Sequence, residues 1–170
     1  MLDAITSLFN LRWIQHPQIR TLPSTISRTH VSSPGSDLEL LCSKPKRANP
    51  TAAPILFIHG GCGHASVWLE WMTHLNEARY GGALYSYSAR NHGASYTVPY
   101  FRMVYRTSVA DMFDDLASCV DAVREMEDGK DAILVCHSSG GGLAQYGLAS
   151  ERVKCRALCL LDAVPHFGNL

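Results

Sequence analysis

No charge imbalance, no long hydrophobic run and no paired-cysteine pattern occur in this 170-residue sequence, and each absence removes a class of function. Fifteen Lys and Arg balance fifteen Asp and Glu, so neither nucleic acid nor an anionic membrane surface is expected as a partner. No apolar run reaches the roughly 20 residues that a bilayer crossing needs, and no basic segment leading into an apolar core marks a secretory leader. Six cysteines stand at 42, 62, 119, 136, 155 and 159 without a C-x-x-C pair. Several lie in apolar stretches, as small buried hydrophobes with free thiols in a reducing compartment do. Eight histidines are many for this length, yet none form an H-x-x-x-H or H-E-x-x-H pair, so no metal is expected. A G-x-x-x-x-G-K-[ST] phosphate loop is missing as well. The remaining composition, 46% hydrophobic and 18% charged, fits one globular domain with a real core.

What is present is organised around residues 132–142, Ala-Ile-Leu-Val-Cys-His-Ser-Ser-Gly-Gly-Gly. An apolar, β-branched run enters a polar turn and a helix-compatible stretch follows, which predicts strand, sharp turn, helix. A serine in such a turn sits on strained backbone with its hydroxyl pushed out of the end of the sheet. The geometry calls for small residues two before and two after it, the G-x-S-x-G pattern. For Ser138 these are Cys136, a modest departure, and Gly140. Ser139 is the rival; it has Gly141 two after but bulky His137 two before. Ser138 is therefore the candidate nucleophile, and the first amides of the following helix point at it.

Upstream, residues 1–28 carry Arg12, Arg20 and Arg28 with many Ser and Thr and only Asp3 as an acid. That composition is shared with organelle transit peptides, but the segment is read as a poorly ordered extension, with the domain proper over 29–170. Residues 29–31 and 38–42 flank a Pro34-Gly35 turn and read as a hairpin. Ile55-Leu56-Phe57-Ile58 is a continuous apolar run, the pattern of a strand buried on both faces. It ends in His59-Gly60-Gly61-Cys62-Gly63-His64, glycines suited to close backbone approach. A dinucleotide-binding G-x-G-x-x-G is excluded there: Ser66 replaces the third glycine, and Ser86-Tyr87-Ser88 offers no ribose-binding acid. No cofactor is expected.

Val67, Trp68, Met72 and Leu75 predict an amphipathic helix over 65–78, with Trp68 and Trp71 in the core or lining a groove. Residues 83–87 read as the next strand, and Arg90-Asn91-His92-Gly93-Ala94-Ser95 follows it. The aromatic cluster Tyr96, Tyr100, Phe101 and Tyr105 lies in an apparently irregular segment, where it either borders an apolar pocket or simply packs. Ser108 with Asp111 opens a helix in capping-box style, continued by Val109, Met112, Phe113, Leu116, Val120 and Val123. A helix over 143–150 and a strand over 156–162 close the pattern.

Cys136-His137-Ser138-Ser139-Gly140-Gly141 resembles the G-H-S-x-G-G elbow of the α/β-hydrolase superfamily, with Cys for the first Gly. The order of elements over about 30–165 resembles that family more specifically than any one motif. The resemblance implies a three-layer α/β fold with a mostly parallel sheet. It makes Ser138 the nucleophile of a serine hydrolase and assigns the two oxyanion-hole amides to Gly61, after the H-G dipeptide, and Ser139. Residues 90–95 resemble the family's R-G-x-G-x-S loop, with Asn91 where Gly is commoner, which makes His92 structural rather than a catalytic base.

Segments 31–47 and 90–106 also resemble short fungal hydrolases from host-selective toxin clusters, a secondary-metabolism setting whose products are fatty-acid-derived esters. That resemblance implies an esterase, lipase or thioesterase activity on an ester of a small apolar acyl group. It also implies a cytoplasmic or peroxisomal location, although Phe167-Gly168-Asn169-Leu170 holds no peroxisomal S-K-L address. The family's triad runs Ser, acid, His, and the sequence reads as stopping just after the sixth strand, before a full domain's acid and histidine. Asp162 would be the acid in the minority arrangement, and His166 comes too early for the usual histidine. The alternative to an enzyme is therefore a non-catalytic remnant or interaction module on a hydrolase scaffold. The sixth strand, apolar and unblunted, is expected to lie at the sheet edge and to promote self-association.

Overall fold

The computed structural model describes residues 21–165. β1 (Ser27–Ser32) and β2 (Asp37–Ser43) form the expected hairpin, slightly longer than the sequence runs suggest because Ser32 pairs with Asp37 across the turn. Ile26, just ahead of β1, is buried against Leu41 and Phe57 in the same core cluster. Residues 1–20, and with them most of the expected N-terminal extension, lie outside the described residues, as does His166.

β3 (Ile55–Ile58), β4 (Leu84–Tyr87), β5 (Ile133–His137) and β6 (Ala157–Leu161) complete a six-stranded sheet in the order β1-β2-β4-β3-β5-β6. The four later strands are parallel to one another, and β2 joins them antiparallel through β4. All four residues of β3 and of β4 are buried, as the uninterrupted apolar run predicts for a strand covered on both faces. The period-two alternation of a strand assigns Leu56 and Ile58 to one core cluster and Ile55 and Phe57 to the other.

Two helical layers cover those faces. A short 3-10 helix (Ala65–Trp68) and α1 (Leu69–Glu77) bury Trp68, Leu69 and Met72 on one side, with Trp68 stacked on Phe57 at 5.1 Å between centroids. Sequence spacing predicts one helix here; the structure tightens its first turn, where the His64 ring accepts a hydrogen bond from the Ser66 N–H. Trp71 stays half exposed. On the other face lie α3 (Val109–Met126) and α4 (Ser139–Ala149). The Ser108–Asp111 capping box forms as expected, and Phe113, Leu116, Val120 and Val123 turn their helical stripe into the core.

The stretch read as irregular differs. Tyr100–Arg106 forms α2, with Pro99 as its N-cap. None of its residues is buried, and seven residues make barely two turns, too short a run for periodicity to reveal a helix in sequence. Phe101 and Tyr105 stack on each other at 5.7 Å instead. Among the described residues β6 pairs only with β5 and lies at the edge of the sheet.

Candidate functional site

The C-terminal ends of the parallel strands gather the loops after β3, β4, β5 and β6, the place where open α/β sheets bind ligands. β5 ends at His137 and α4 begins at Ser139, leaving Ser138 alone at the junction with φ 51° and ψ −126°. A non-glycine residue there is strained. The surroundings hold it in place. The Ser138 N–H donates to the Leu161 carbonyl at 3.2 Å, and the Ser138 carbonyl accepts from Gly141 and Val164 N–H, both at 3.0 Å.

Small residues make this packing feasible, each for a different neighbour. A Cβ on Gly140 would overlap the His59 carbonyl, one on Gly141 would strike Ala163, and one on Gly60 would lie 2.8 Å from the Ser138 Cβ. Cys136 occupies the position where the family has glycine, and its side chain points into the core, fully buried. Burial pushes its thiol well above the usual range, so it behaves as a hydrophobe. A Cβ position on Gly61 lies 3.5 Å from Ser139 Oγ. Thus the structure brings Ser138, Ser139 and Gly61 together at the N-terminus of α4, where the first helical amides have no intrahelical acceptor.

His59 fixes the loop that follows β3. Its Nε2 accepts the Ala89 N–H at 2.9 Å, so its Nδ1 carries the proton and donates to the Gly60 carbonyl at 2.7 Å. Burial, with smaller contributions from the neighbouring His92 and His64, pushes its pKa down to about 4 and keeps the ring neutral. Gly60's carbonyl also accepts the Gly63 N–H. His92 lies beside His59, ring centroids 5.2 Å apart. It contacts the carbonyls of Arg90 and Gly61, each at 2.8 Å. Asp162, directly after β6, has φ 46° and lies at the same end of the sheet as Ser138, since Leu161 pairs with His137.

Three buried charges, Glu39, Arg90 and Asp115, escaped the sequence reading. Glu39 lies between Leu38 and Leu40 in β2, and its carboxylate accepts from Arg28 Nε at 2.7 Å, the Ser88 hydroxyl at 2.6 Å and the Ala94 N–H at 3.0 Å. Burial opposes its charge, but these donors prevail and hold its pKa below the ordinary value. Arg90 pairs with buried Asp115 at 2.6 Å and donates to the Asp111 carbonyl. Both tie the 88–95 loop to the scaffold. The signal was there: a lone Glu between apolar strand residues needs partners. Asn91 stands at φ 61°, a conformation Asn tolerates, and its side chain brackets Val98 by accepting from its N–H and donating to its carbonyl. That accounts for Asn in place of the commoner Gly.

The described residues also line an open depression of about 500 Å³ among Pro50, Lys130 and Arg156. It lies at the opposite ends of the strands from Ser138. Among the described residues no cluster of three metal-ligating side chains forms, and no helix is long and apolar enough to cross a membrane.

Residues 55–169 match the alpha/beta hydrolase family. The chain belongs to that family. A curated relative, a non-heme chloroperoxidase from Kitasatospora aureofaciens, is 31% identical over 113 residues, which is 66% of this chain and 37% of that protein. The chain therefore spans little more than a third of this relative's length. Two solved structures share the fold. Est1E from Butyrivibrio proteoclasticus, with ferulic acid bound, has a TM-score of 0.62 at 22% identity, covering 76% of this chain and 50% of its own. The epoxide hydrolase VrEH1 from Vigna radiata has a TM-score of 0.64 at 16% identity, covering 82% and 41% respectively.

Proposed function

We propose that the chain is the elbow-bearing part of a serine hydrolase acting on an ester or thioester of a small apolar acyl group. The observation that carries this reading is the strained Ser138 at the β5–α4 junction, set beside Gly61 and the first turn of α4. In this mechanism Ser138 Oγ attacks the acyl carbon, losing its proton to a histidine, and the carbonyl oxygen becomes an oxyanion. The Gly61 and Ser139 amides stabilise that charge, each by roughly 3–4 kcal/mol. The alcohol or thiol then leaves with a proton, and water hydrolyses the acyl-serine to return the free hydroxyl. Asp162 would orient the histidine, and no cofactor takes part. The resemblance of 31–47 and 90–106 to fungal toxin-cluster hydrolases supports a fatty-acid-derived substrate from secondary metabolism.

A second reading, a non-catalytic binding module on the same scaffold, is favoured by one observation. His59 and His92, which flank the Gly61 loop, both have their two ring nitrogens engaged by backbone groups, so neither stands ready to take the Ser138 proton. A fluorophosphonate probe separates the two. The hydrolase reading expects covalent labelling that disappears in Ser138→Ala; labelling that survives this substitution, or a folded chain that never labels, would overturn it.

A further inference from the structure

We infer that His92 is a positioning residue that acts as an imidazolium, clamping the loop that carries Gly61. Its Nδ1 faces the Arg90 carbonyl and its Nε2 the Gly61 carbonyl, both at 2.8 Å. A carbonyl oxygen only accepts, and a neutral imidazole has one N–H to donate. Both contacts are therefore hydrogen bonds only when both nitrogens carry protons; in the neutral ring one would set a lone pair against an oxygen.

The adjacent ring is built the opposite way. His59 faces one donor, the Ala89 N–H, and one acceptor, the Gly60 carbonyl, a complement that a neutral ring satisfies completely. Two imidazoles 5.2 Å apart thus divide the work, one neutral and one charged. Other charged or titratable groups face this pair. Glu39 on β2 lies against Gly93, directly after His92, and is ion-paired with Arg28. His64 interacts electrostatically with His59. The Arg90 guanidinium is turned away into Asp115 and the Asp111 carbonyl.

The consequence reaches Gly61. His59 holds the Gly60 carbonyl, and no described peptide is cis, so the Gly61 N–H points away from the His59 ring. His92 holds the next carbonyl, that of Gly61, across 31 residues of chain. With both carbonyls tethered the Gly61 unit has one orientation. Loss of the His92 proton leaves one N–H for two carbonyls; in the tautomer that keeps it on Nδ1 the Gly61 carbonyl is released and the unit can turn. The proposal rests on the hydrolase reading only for what the Gly61 amide does; the clamp itself does not.

The test is made on the full chain carrying ¹⁵N-histidine and ¹³C-glycine carbonyls. Long-range ¹H–¹⁵N spectra report the protonation of each His92 nitrogen, and the Gly61 carbonyl carbon reports the clamp. Both nitrogens should be protonated on the acid side, and the Gly61 carbonyl shift should follow the His92 titration with the same midpoint. In His92→Gln, which keeps a donor but no titration, the Gly61 signal should lose this pH dependence. His92→Phe should show it displaced at every pH, and should slow fluorophosphonate labelling of Ser138 about tenfold, with Gln restoring it to within about threefold of the parent. A Gly61 carbonyl indifferent to His92 ionisation, or Gln and Phe variants that behave alike, would overturn the clamp. A parent chain that does not label would overturn the hydrolase reading alone, and the spectra would still decide the clamp.

Discussion

Gly60 packs directly on Ser138: a Cβ added to Gly60 would lie 2.8 Å from the Ser138 Cβ and 3.0 Å from His137 Nδ1. The Ser138 Cβ is fixed to the backbone of the elbow and cannot swing aside. The loop after β3 is held by His59, and the elbow by hydrogen bonds to Leu161 and Val164. Gly60→Ala should therefore cost about 1–3 kcal/mol, the usual cost of overpacking a well-filled site. Urea unfolding measures this, and a change below about 0.5 kcal/mol would show that the two loops give way easily.

Ser138 itself should trade stability against function. Its φ of 51° with ψ of −126° stores about 1–3 kcal/mol of backbone strain. Ser138→Gly releases that strain but adds unfolded-chain freedom worth roughly 0.5–1 kcal/mol. A net gain of about 1 kcal/mol is expected, while Ser138→Ala, which keeps the strain, should be close to neutral. Thermal unfolding of the three proteins decides it; a Gly variant less stable than the Ala variant would mean the elbow is relaxed.

Much of this arrangement was legible in the sequence, because its signals are local. The apolar run 55–58, the capping box at Ser108 and the Ser138 turn each carry their geometry in neighbouring residues, and β3, α3 and the elbow formed as read. What was not legible depends on residues distant in sequence. Glu39 gains its partners from positions 28, 88 and 94, and Arg90 finds Asp115 only once α3 packs on the sheet. α2 was missed because seven residues are too few for a helical period to stand out.

The Arg90–Asp115 pair should be costly to break from either side. Both side chains are buried, so removing one leaves an uncompensated charge in the interior, a loss of about 3–5 kcal/mol. Arg90→Ala strands Asp115, with the Tyr96 hydroxyl 3.4 Å away as its remaining neutral donor. A double replacement by Met and Leu, which removes both charges, should recover most of that loss. Denaturant unfolding of the single and double variants is the measurement. Single variants within about 1 kcal/mol of the parent would show that water reaches the pair.

Acid should destabilise the fold in two overlapping steps. The His59 pKa falls from the ordinary 6.5 to about 4 in the fold, so the unfolded chain binds the extra proton first. Its contribution is complete above pH 6.5 and is lost as the pH falls towards 4, on the order of 3 kcal/mol in all. Glu39 also has a lowered pKa, so its contribution is present above its ordinary value of 4.5 and is lost as the pH drops through the lower folded value. His59→Asn, which retains a donor for the Gly60 carbonyl, should flatten the first step and leave the second. Unfolding free energies measured across this range would contradict the assignment if the His59→Asn slope matched the parent.

The last expectation concerns β6. In β3 every residue is buried, whereas in β6 Ala157, Cys159 and Leu160 are exposed, Leu160 to 43%. Among the described residues β6 pairs with β5 alone, so its outer edge presents backbone donors and acceptors beside apolar side chains. No proline or charge within Ala157–Leu161 blunts that edge, and such an edge is a template for another strand. Apolar surface left wet forgoes stabilisation at about 25 cal/mol per Å², and a few hundred Å² is comparable with a domain's whole net stability. The isolated 170-residue chain should therefore be marginally stable and should self-associate as its concentration rises. Leu160→Lys, which places a charge on the edge, should shift the equilibrium towards monomer. Light scattering in the presence of a reductant, which removes any disulfide through exposed Cys159, is the test. A monomer at tens of micromolar with a sharp unfolding transition would show that the β6 edge is self-sufficient.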